Sequence, residues 1–207
     1  MDLKSELNNL DCSVIDVDEA LTKTHQEVLL ILAQTFNRVG AILLCEPSVV
    51  GGRSRPPDVA VVDPASGLHV FEVKGVTLDQ VRTVLAGGGI EIAYDTRISR
   101  KDPSRQAKQA MFDIKDSASR HFNGELNVPF QSWVVFPRIG RTEWEYKFGA
   151  AISGRADVLF AEDLTSSHLG DRLRKDAAAR LERFGLSECP PLQLKERDGR
   201  VWRLRGN

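Results

Sequence analysis

The sequence is poor in the residues that build disulfide frameworks and metal clusters. Its 207 residues include three cysteines and four histidines. Cys12, Cys45 and Cys189 are far apart, and no CxxC pair occurs. This scarcity argues against a zinc site and against a disulfide framework. Free thiols and the absence of a signal-peptide pattern lead us to expect a cytoplasmic location.

Long apolar runs and an excess of charge of one sign are also missing. Segments such as AILLC at 41–45 are far too short to span a bilayer, so no membrane segment is expected. The formal net charge is −1, so any contact with nucleic acid has to come from a local basic patch. Apolar residues make up 42% of the chain, which is ordinary for a protein that buries its own core.

Three segments are predicted as helices. The first covers 19–39, where apolar residues recur at helical spacing, and Asp18 is its candidate cap. The second begins with Asp102 as N-cap and Pro103 at the first helical position. The third, DLTSSHLGDRLRKDAAARLERFG, is predicted as one or two helices that end at Gly185, a residue type that commonly follows a helix.

Strand-like segments are interleaved with these helices. They are predicted at 41–46, 58–62, 68–74 and 131–137, and in the segments WEYKFG and ADVLFA. The interval after Gly75 is ambiguous, because LDQVRTVLAG favours a short helix and IEIAYDTRI an edge strand. Strands interleaved with helices indicate an α/β architecture.

The segment DVAVVDPASGLHVFEVKG contains the candidate site. DPASG has good turn chemistry, with proline at an inner position and glycine near the end. A symmetric hairpin around this turn pairs Val62 with Leu68 and, by the same count, Asp58 with Glu72. A slip of one residue would separate the two acids, so the prediction depends on this register.

This register places two carboxylates beside a lysine. Directly opposed residues have Cβ atoms about 4.5–5.5 Å apart, and carboxylates that close repel each other unless a cation lies between them. Glu72 and Lys74 point to the same face of the strand, so Lys74 supplies part of that charge. Mg²⁺ or Mn²⁺ supplies more, which suits phosphodiester hydrolysis. The alternative is a solvated surface pair, since four acid-x-Lys triplets occur in the chain.

The ordered set Pro57-Asp58 and Glu72-Val73-Lys74 resembles the motif of the PD-(D/E)xK nuclease superfamily. The resemblance implies a restriction-endonuclease-like core, in which a mixed central β-sheet is flanked by α-helices. It also implies a metal-dependent enzyme that cleaves DNA.

Within that superfamily the chain looks most like the nuclease-related domain known as NERD. That family has a helical Glu, an Asp on the second strand, an EVKG segment and a polar-Pro-x-x-Gln helix start. Here these correspond to Glu27 in THQEVLLIL, Asp58, EVKG at 72–75, and Gln106 in DPSRQ. The match covers roughly residues 20–170.

The resemblance implies a role for each matched residue. Four are implied ligands of Mg²⁺ or Mn²⁺: Glu27, Asp58, Glu72 and the Val73 carbonyl. Lys74 would serve the attacking water and Gln106 would orient that water or a phosphate, so that these two join Asp58 and Glu72 as catalytic residues. The alternatives are a solvent-facing acid for Glu27 and a helix-surface glutamine for Gln106.

Basic residues cluster around the predicted site. The candidate DNA contacts are Arg53, Arg55, Arg97, Arg100, Lys101, Arg105 and Lys108. A helix N-terminus with nearby Arg and Lys suits a phosphate, although a solvated charged face is the alternative. No aromatic spacing indicates base stacking, so backbone contacts with weak sequence preference are expected. The insertion 76–101 is either a substrate-gripping hairpin or a surface elaboration.

Three parts are predicted along the chain: a loose lead-in over 1–18, the nuclease-like domain over 19–170, and a helix-and-strand extension over 171–207. The final VWRLRGN is similar to the strand that precedes the phosphate-binding loop of superfamily-one helicases. This similarity implies an ATPase domain that follows in the same or a partner chain. The alternative is an edge strand, and no P-loop occurs in these residues.

The leading hypothesis is therefore a metal-dependent DNA nuclease that acts in defence or repair. Two rivals stay open. One is a nucleic-acid-binding or scaffolding module that has the nuclease fold without turnover. The other is a protein-interaction domain that docks on a helicase.

Overall fold

A computed structural model describes residues 3–15, 21–47, 55–85, 87–122, 129–183, 185–187, 192–197 and 201–206. The helices are α1 (Leu3–Leu7), α2 (Lys23–Thr35), α3 (Pro103–Phe122), α4 (Arg141–Phe148) and α5 (Ser166–Arg183). The strands are β1 (Ser13–Ile15), β2 (Ile42–Cys45), β3 (Val59–Asp63), β4 (Gly67–Val73), β5 (Val81–Val84), β6 (Ile90–Tyr94), β7 (Arg97–Lys101), β8 (Phe130–Phe136), β9 (Val158–Phe160), β10 (Leu192–Arg197) and β11 (Val201–Gly206).

A mixed six-stranded sheet with the order β1-β2-β3-β4-β8-β9 forms the centre of the fold. Strands β2, β3 and β4 are antiparallel neighbours, whereas β8 runs parallel to β4 and β9 runs parallel to β8. A parallel neighbour needs a crossover connection, and the segment that contains α3 supplies it. The predicted α/β class, with a mixed central sheet flanked by helices, is confirmed.

Helices cover both faces of this sheet because each contributes an apolar stripe. Leu29 of α2 and Leu173 of α5 belong to one buried cluster with Phe71 of β4. Met111 of α3 belongs to a second cluster, which includes Val70 of the same strand. Successive side chains of a strand point to opposite faces, so β4 contributes to both layers of the core.

The first predicted helix, which is α2 in the structure, is shorter than its sequence pattern predicted. Its N-cap is Thr22, whose Oγ1 accepts a hydrogen bond from the His25 backbone N at 3.4 Å, and not Asp18. It ends at Thr35, four residues before the predicted end at position 39. Threonine is a good N-cap, and the predicted cap, Asp18, lies outside the described residues.

The insertion after β4 contains a second sheet. Its three antiparallel strands are β5, β6 and β7, preceded by a single 3-10 turn at Leu78–Gln80. The predicted short helix is wrong beyond that turn, because β-branched residues of VRTV favour a strand. Val81, Ile90 and Ile92 are buried against Trp144 of α4, which fixes this small sheet to the β8–β9 side of the protein.

The segment WEYKFG is helical, so its predicted strand is wrong. Gly140 is the N-cap of α4, and its backbone N donates to Glu143 Oε2 at 3.1 Å. Trp144 is fully buried while Tyr146 is 95% exposed. The sequence places Trp144, Tyr146 and Phe148 at every second position, which imitates a strand. The opposite burial of Trp144 and Tyr146 is that of a helix, in which residues two apart lie on different sides.

Regular elements occur within the predicted lead-in and across the predicted boundary at 170. The segment expected as a loose lead-in contains α1 and β1, and β1 pairs in parallel with β2 at the sheet edge. Helix α5 crosses the predicted boundary at 170 and packs on α2. In the part of the chain that the structure describes, no helix is long and apolar enough to cross a membrane.

The last two strands agree with the sequence. Strands β10 and β11 form an antiparallel pair. Residues 195–197 of the predicted KERDGR turn belong to β10, and residues 198–200 lie outside the described ones. The strand predicted in ADVLFA is confirmed as β9.

Candidate functional site

The hairpin of β3 and β4 has the predicted register. Val62 pairs with Leu68, and the turn between them closes at Gly67. Gly67 has φ of 90°, and a Cβ added there would lie 2.3 Å from the Pro129 carbonyl oxygen. This position therefore requires glycine, which pins the turn and with it the pairing along both strands.

Asp58 lies at the open end of this hairpin, one residue before the ladder begins at Val59 and Phe71. Its Oδ2 accepts a hydrogen bond from the Val73 backbone N at 2.5 Å. The carboxylate is thus held against the end of β4, beside Glu72. The structure brings these two acids together, as the register predicted.

Glu72 is the most buried acid at this open end of the hairpin, with 1% of its surface exposed. Lys74 donates a hydrogen bond to its Oε1, whereas Oε2 is buried and has no hydrogen-bond partner. Burial, assisted by the negative charge of Asp58 and opposed by Lys74, raises the pKa of Glu72 to about 7. The carboxylate therefore has an oxygen that is available to a ligand.

His25 joins this group from the first turn of α2. Its Nδ1 lies 2.5 Å from Thr22 Oγ1, and its Nε2 lies 3.8 Å from Asp58 Oδ1. The neighbouring Asp58 carboxylate raises the pKa of His25 above its ordinary value, against the effect of burial. Sequence reasoning missed this residue, because a helix start at Thr22 is what brings position 25 to the sheet end.

These residues line a cleft of about 660 Å³. Its cationic lining residues are Lys23, Arg55, Lys74, Lys101 and Arg138. Its acidic lining residues are Glu46, Asp58 and Glu72. A cationic rim around a buried acidic centre is suited to a polyanion that also brings or meets a divalent cation.

Of the residues predicted from the family pattern, Gln106 lines the cleft and Glu27 does not. The side chain of Glu27 is 55% exposed and pairs with Lys23 at 3.9 Å, one helical turn away. Each helical residue advances about 100°, so Glu27 lies on a different side of α2 from His25. The structure therefore leaves Glu27 as a solvent-facing acid.

The seven predicted DNA contacts divide into groups. Arg55 and Lys101 line the cleft. Arg105 and Lys108 are exposed on α3 outside it, and Arg97 lies at the start of β7. Arg100 pairs with Glu91 at 2.7 Å, and Arg53 lies outside the described residues. Two cleft cations, Lys23 and Arg138, were not predicted, because nothing in their local sequence marks them.

Two side chains at the sheet end carry oxygen donors of the kind that hard divalent cations prefer. Asp58 and Glu72 supply carboxylate oxygens, and Glu72 Oε2 is buried without a partner. Mg²⁺ and Mn²⁺ prefer such oxygen donors and keep several waters of their own. Within the described ranges, no three His, Cys, Asp or Glu side chains form a group that could hold a metal ion.

The chain matches no protein-family model, no curated protein and no solved structure among those compared with it. The assignment of function therefore depends on the residues of the cleft themselves.

Proposed function

We propose that this chain is a metal-dependent nuclease that hydrolyses phosphodiester bonds in DNA. The observation that carries the proposal is the buried, unpartnered Oε2 of Glu72, in a cleft lined by five cations. Leaving a buried polar atom unpaired is costly, so one that borders an open cleft indicates a ligand that completes it. Asp58 provides the second carboxylate for the same ligand.

Each residue around Glu72 has a separate role in the proposed reaction. Mg²⁺ or Mn²⁺ held by Asp58, Glu72 and the Val73 carbonyl would polarise the phosphate and lower the pKa of a bound water. Lys74, 15% exposed and paired with Glu72, orients the attacking water and offsets charge that builds up on the phosphate. Gln106 offers its side-chain amide to that water or to a phosphate oxygen.

The order of elements gives further support. Helix α2, strands β2, β3 and β4, helix α3 and strand β8 follow one another as in a restriction-endonuclease-like core. The acids and the lysine lie at the ends of its second and third strands. On this proposal, the small β5–β7 sheet is an insertion into that core.

A second candidate is a nucleic-acid-binding module without turnover, and the position of Glu27 favours it. This residue, the implied third acid, is exposed and lies outside the cleft. Fewer protein ligands weaken the hold on a divalent cation. A module of this kind would bind DNA through the same cationic rim, and it could deliver DNA to a helicase partner.

A cleavage assay separates the two candidates. Supercoiled, linear double-stranded and single-stranded DNA are incubated with the protein in Mn²⁺ and, as a control, in EDTA. We expect cleavage by the natural sequence and a loss of at least about a hundredfold for Lys74→Ala. Lys175→Ala removes an exposed lysine of α5 and is expected to cleave normally.

One outcome would contradict the proposed mechanism, and another would contradict the nuclease itself. Cleavage by Lys74→Ala at the rate of the natural sequence would refute the mechanism. DNA retardation without any cleavage in Mg²⁺ or Mn²⁺ would favour the binding module.

A further inference from the structure

The β6–β7 hairpin borders the cleft but takes no part in the chemistry above. Its strands are joined by a tight turn at 95–96, and Tyr94 pairs with Arg97 at the tip. Tyr94 lines the cleft that also contains Glu72. Among the described lining residues, Tyr94 is the one Phe, Tyr or Trp.

The face of the hairpin fixes where this ring points. Ile90 and Ile92 are fully buried in the core, and Tyr94 continues their face of β6 because side chains alternate along a strand. Tyr94 itself is 39% exposed, so its ring leaves the core at the cleft. Ile98 lies on the opposite face of the hairpin and is 66% exposed.

Cations accompany the ring on the same face. Cross-strand partners share a face, so Arg97 lies on the side of Tyr94, with its guanidinium carbon 5.9 Å from the ring centroid. Lys101, at the other end of β7, also lines the cleft. Arg100 points to the other face, where it pairs with Glu91. The cleft side therefore combines a flat aromatic surface with charges for phosphates.

We propose that Tyr94 stacks against one unpaired base, so that the cleft takes single-stranded DNA or an unpaired strand end in preference to intact duplex. The inference rests on the proposed nuclease function and names its substrate class. An internal base of a duplex is covered on both faces by its neighbours, whereas an unpaired base offers a face to an aromatic ring. Arg97 and Lys101 pair with the adjoining phosphates.

This proposal changes one expectation from the sequence. Base stacking was not expected, since no aromatic residues recur at regular spacing near the predicted site. A single ring placed by a hairpin tip is sufficient for one base. Weak sequence preference is retained, because every base has a face that can stack.

Binding measured apart from cleavage tests the inference. Fluorescence anisotropy in EDTA follows a labelled single strand and a blunt duplex of the same sequence, with Glu72→Gln as the parent protein. We expect at least about tenfold tighter binding of the single strand, and about a tenfold loss for that strand alone on Tyr94→Ala. Tyr94→Phe keeps the ring and the affinity, and Ile98→Ala, on the other face of the hairpin, is unchanged.

The outcomes distinguish this inference from the proposed function. Equal binding of both DNAs by the parent, binding of neither, or unchanged single-strand binding by Tyr94→Ala would overturn the stacking role. If the natural sequence cleaves DNA while Tyr94→Ala binds normally, the nuclease stands and the inference fails. If the single strand is preferred through Tyr94 but nothing is cleaved, the inference stands and the nuclease fails.

Discussion

The β3–β4 hairpin buries a carboxylate near each of its ends, and the surroundings of the two acids differ. Asp63, at the turn, is 1% exposed, accepts a hydrogen bond at Oδ2 from Ser66, and has Arg38 Nε 3.3 Å from Oδ1. Glu72, at the open end, is equally buried. Each acid has one buried oxygen without a hydrogen bond, Asp63 Oδ1 and Glu72 Oε2. The difference is that the Asp63 oxygen forms an ion pair with Arg38, whereas Lys74 pairs with the other oxygen of Glu72.

At the turn end, hydrogen bonds form a directed chain. The indole Nε1 of Trp133 is a donor, and it lies 3.2 Å from His69 Nδ1, which must accept. The proton of His69 is therefore on Nε2, which donates to Ser66 Oγ at 2.8 Å, and Ser66 donates to Asp63. Burial lowers the pKa of His69 to about 3, so this imidazole is neutral.

A buried carboxylate either stabilises the fold or binds a ligand, and its surroundings distinguish these two uses. A carboxylate that receives its partners from the fold stabilises the fold, as Asp63 does through Ser66 and Arg38. A carboxylate with a buried oxygen that no hydrogen bond reaches and that borders a cationic cleft is, on the proposed function, completed by a ligand, as with Glu72. Four predictions test this distinction.

The largest expected effect is on stability at the turn end. Asp63→Asn removes the buried charge that faces Arg38 and should lower the free energy of unfolding by about 3–5 kcal/mol. Denaturant unfolding measures the loss, and the cleavage rate per folded molecule should stay unchanged. If Asp63→Asn is as stable as the natural sequence, the turn network does not have the structural role assigned to it.

The second prediction concerns the chemistry at the open end. Lys74→Ala should reduce cleavage by at least about a hundredfold, equivalent to about 2.7 kcal/mol in activation free energy, because the attacking water loses its partner. Single-turnover kinetics in Mn²⁺ measure the rate. A thermal melt should show a smaller loss than Asp63→Asn, because Glu72, whose pKa is already raised to about 7, can bind a proton once the ammonium is removed. A large drop in stability would place Lys74 with Asp63 as a structural residue.

The two ends should respond to pH with opposite signs. The folded-state pKa of His69 lies near 3, below its ordinary 6.5, so its stabilising contribution is present above pH 6.5 and is lost as the pH falls toward 3. The pKa of Glu72 lies near 7, above its ordinary 4.5, so its contribution is present below pH 4.5 and is lost as the pH rises to 7. Each slope is at most about 1.4 kcal/mol per pH unit.

Urea unfolding in EDTA across this pH range separates the two contributions. In Glu72→Gln the loss between pH 4.5 and 7 should disappear, while the acid-side loss assigned to His69 should stay. A stability curve of Glu72→Gln that superposes on that of the natural sequence would contradict the assignment.

The smallest expected effect concerns the cap that positions His25. Thr22→Ala removes both the N-cap of α2 and the partner of His25 Nδ1, and should cost about 1 kcal/mol of stability. Thermal unfolding measures this cost. Thr35→Ala, which removes a hydroxyl bonded to the Ile31 carbonyl at the other end of the helix, is the control and should change stability less. Equal losses for the two variants would argue against a special role for Thr22.

The hairpin was predictable because local rules determine it. Turn chemistry and the two-residue period of a strand fix the pairing of Val62 with Leu68. The meeting of Asp58 with Glu72, and the common face of Glu72 and Lys74, follow from the same count. These features depend on neighbouring residues, which the sequence displays directly.

The rest of the site depends on how distant parts of the chain pack against each other, which local sequence patterns do not indicate. Whether His25 or Glu27 faces the cleft is decided by the rotation of α2 against the sheet, and the helix start was predicted in the wrong place. The sheet insertion was ambiguous for the same reason, since its apolar residues are buried by a distant partner, Trp144. Tyr94 gained its position at the cleft from that packing.

Calorimetric titration with Mn²⁺ tests the central claim, that the open end of the hairpin is completed by a divalent cation. The natural sequence should bind the ion with measurable heat at pH 8, and Ser66→Ala, altered at the turn end, should bind it equally. Glu72→Gln should lose this binding, because the unpartnered oxygen becomes part of a neutral amide. Absence of Mn²⁺ uptake by the natural sequence, or undiminished uptake by Glu72→Gln, would contradict the account.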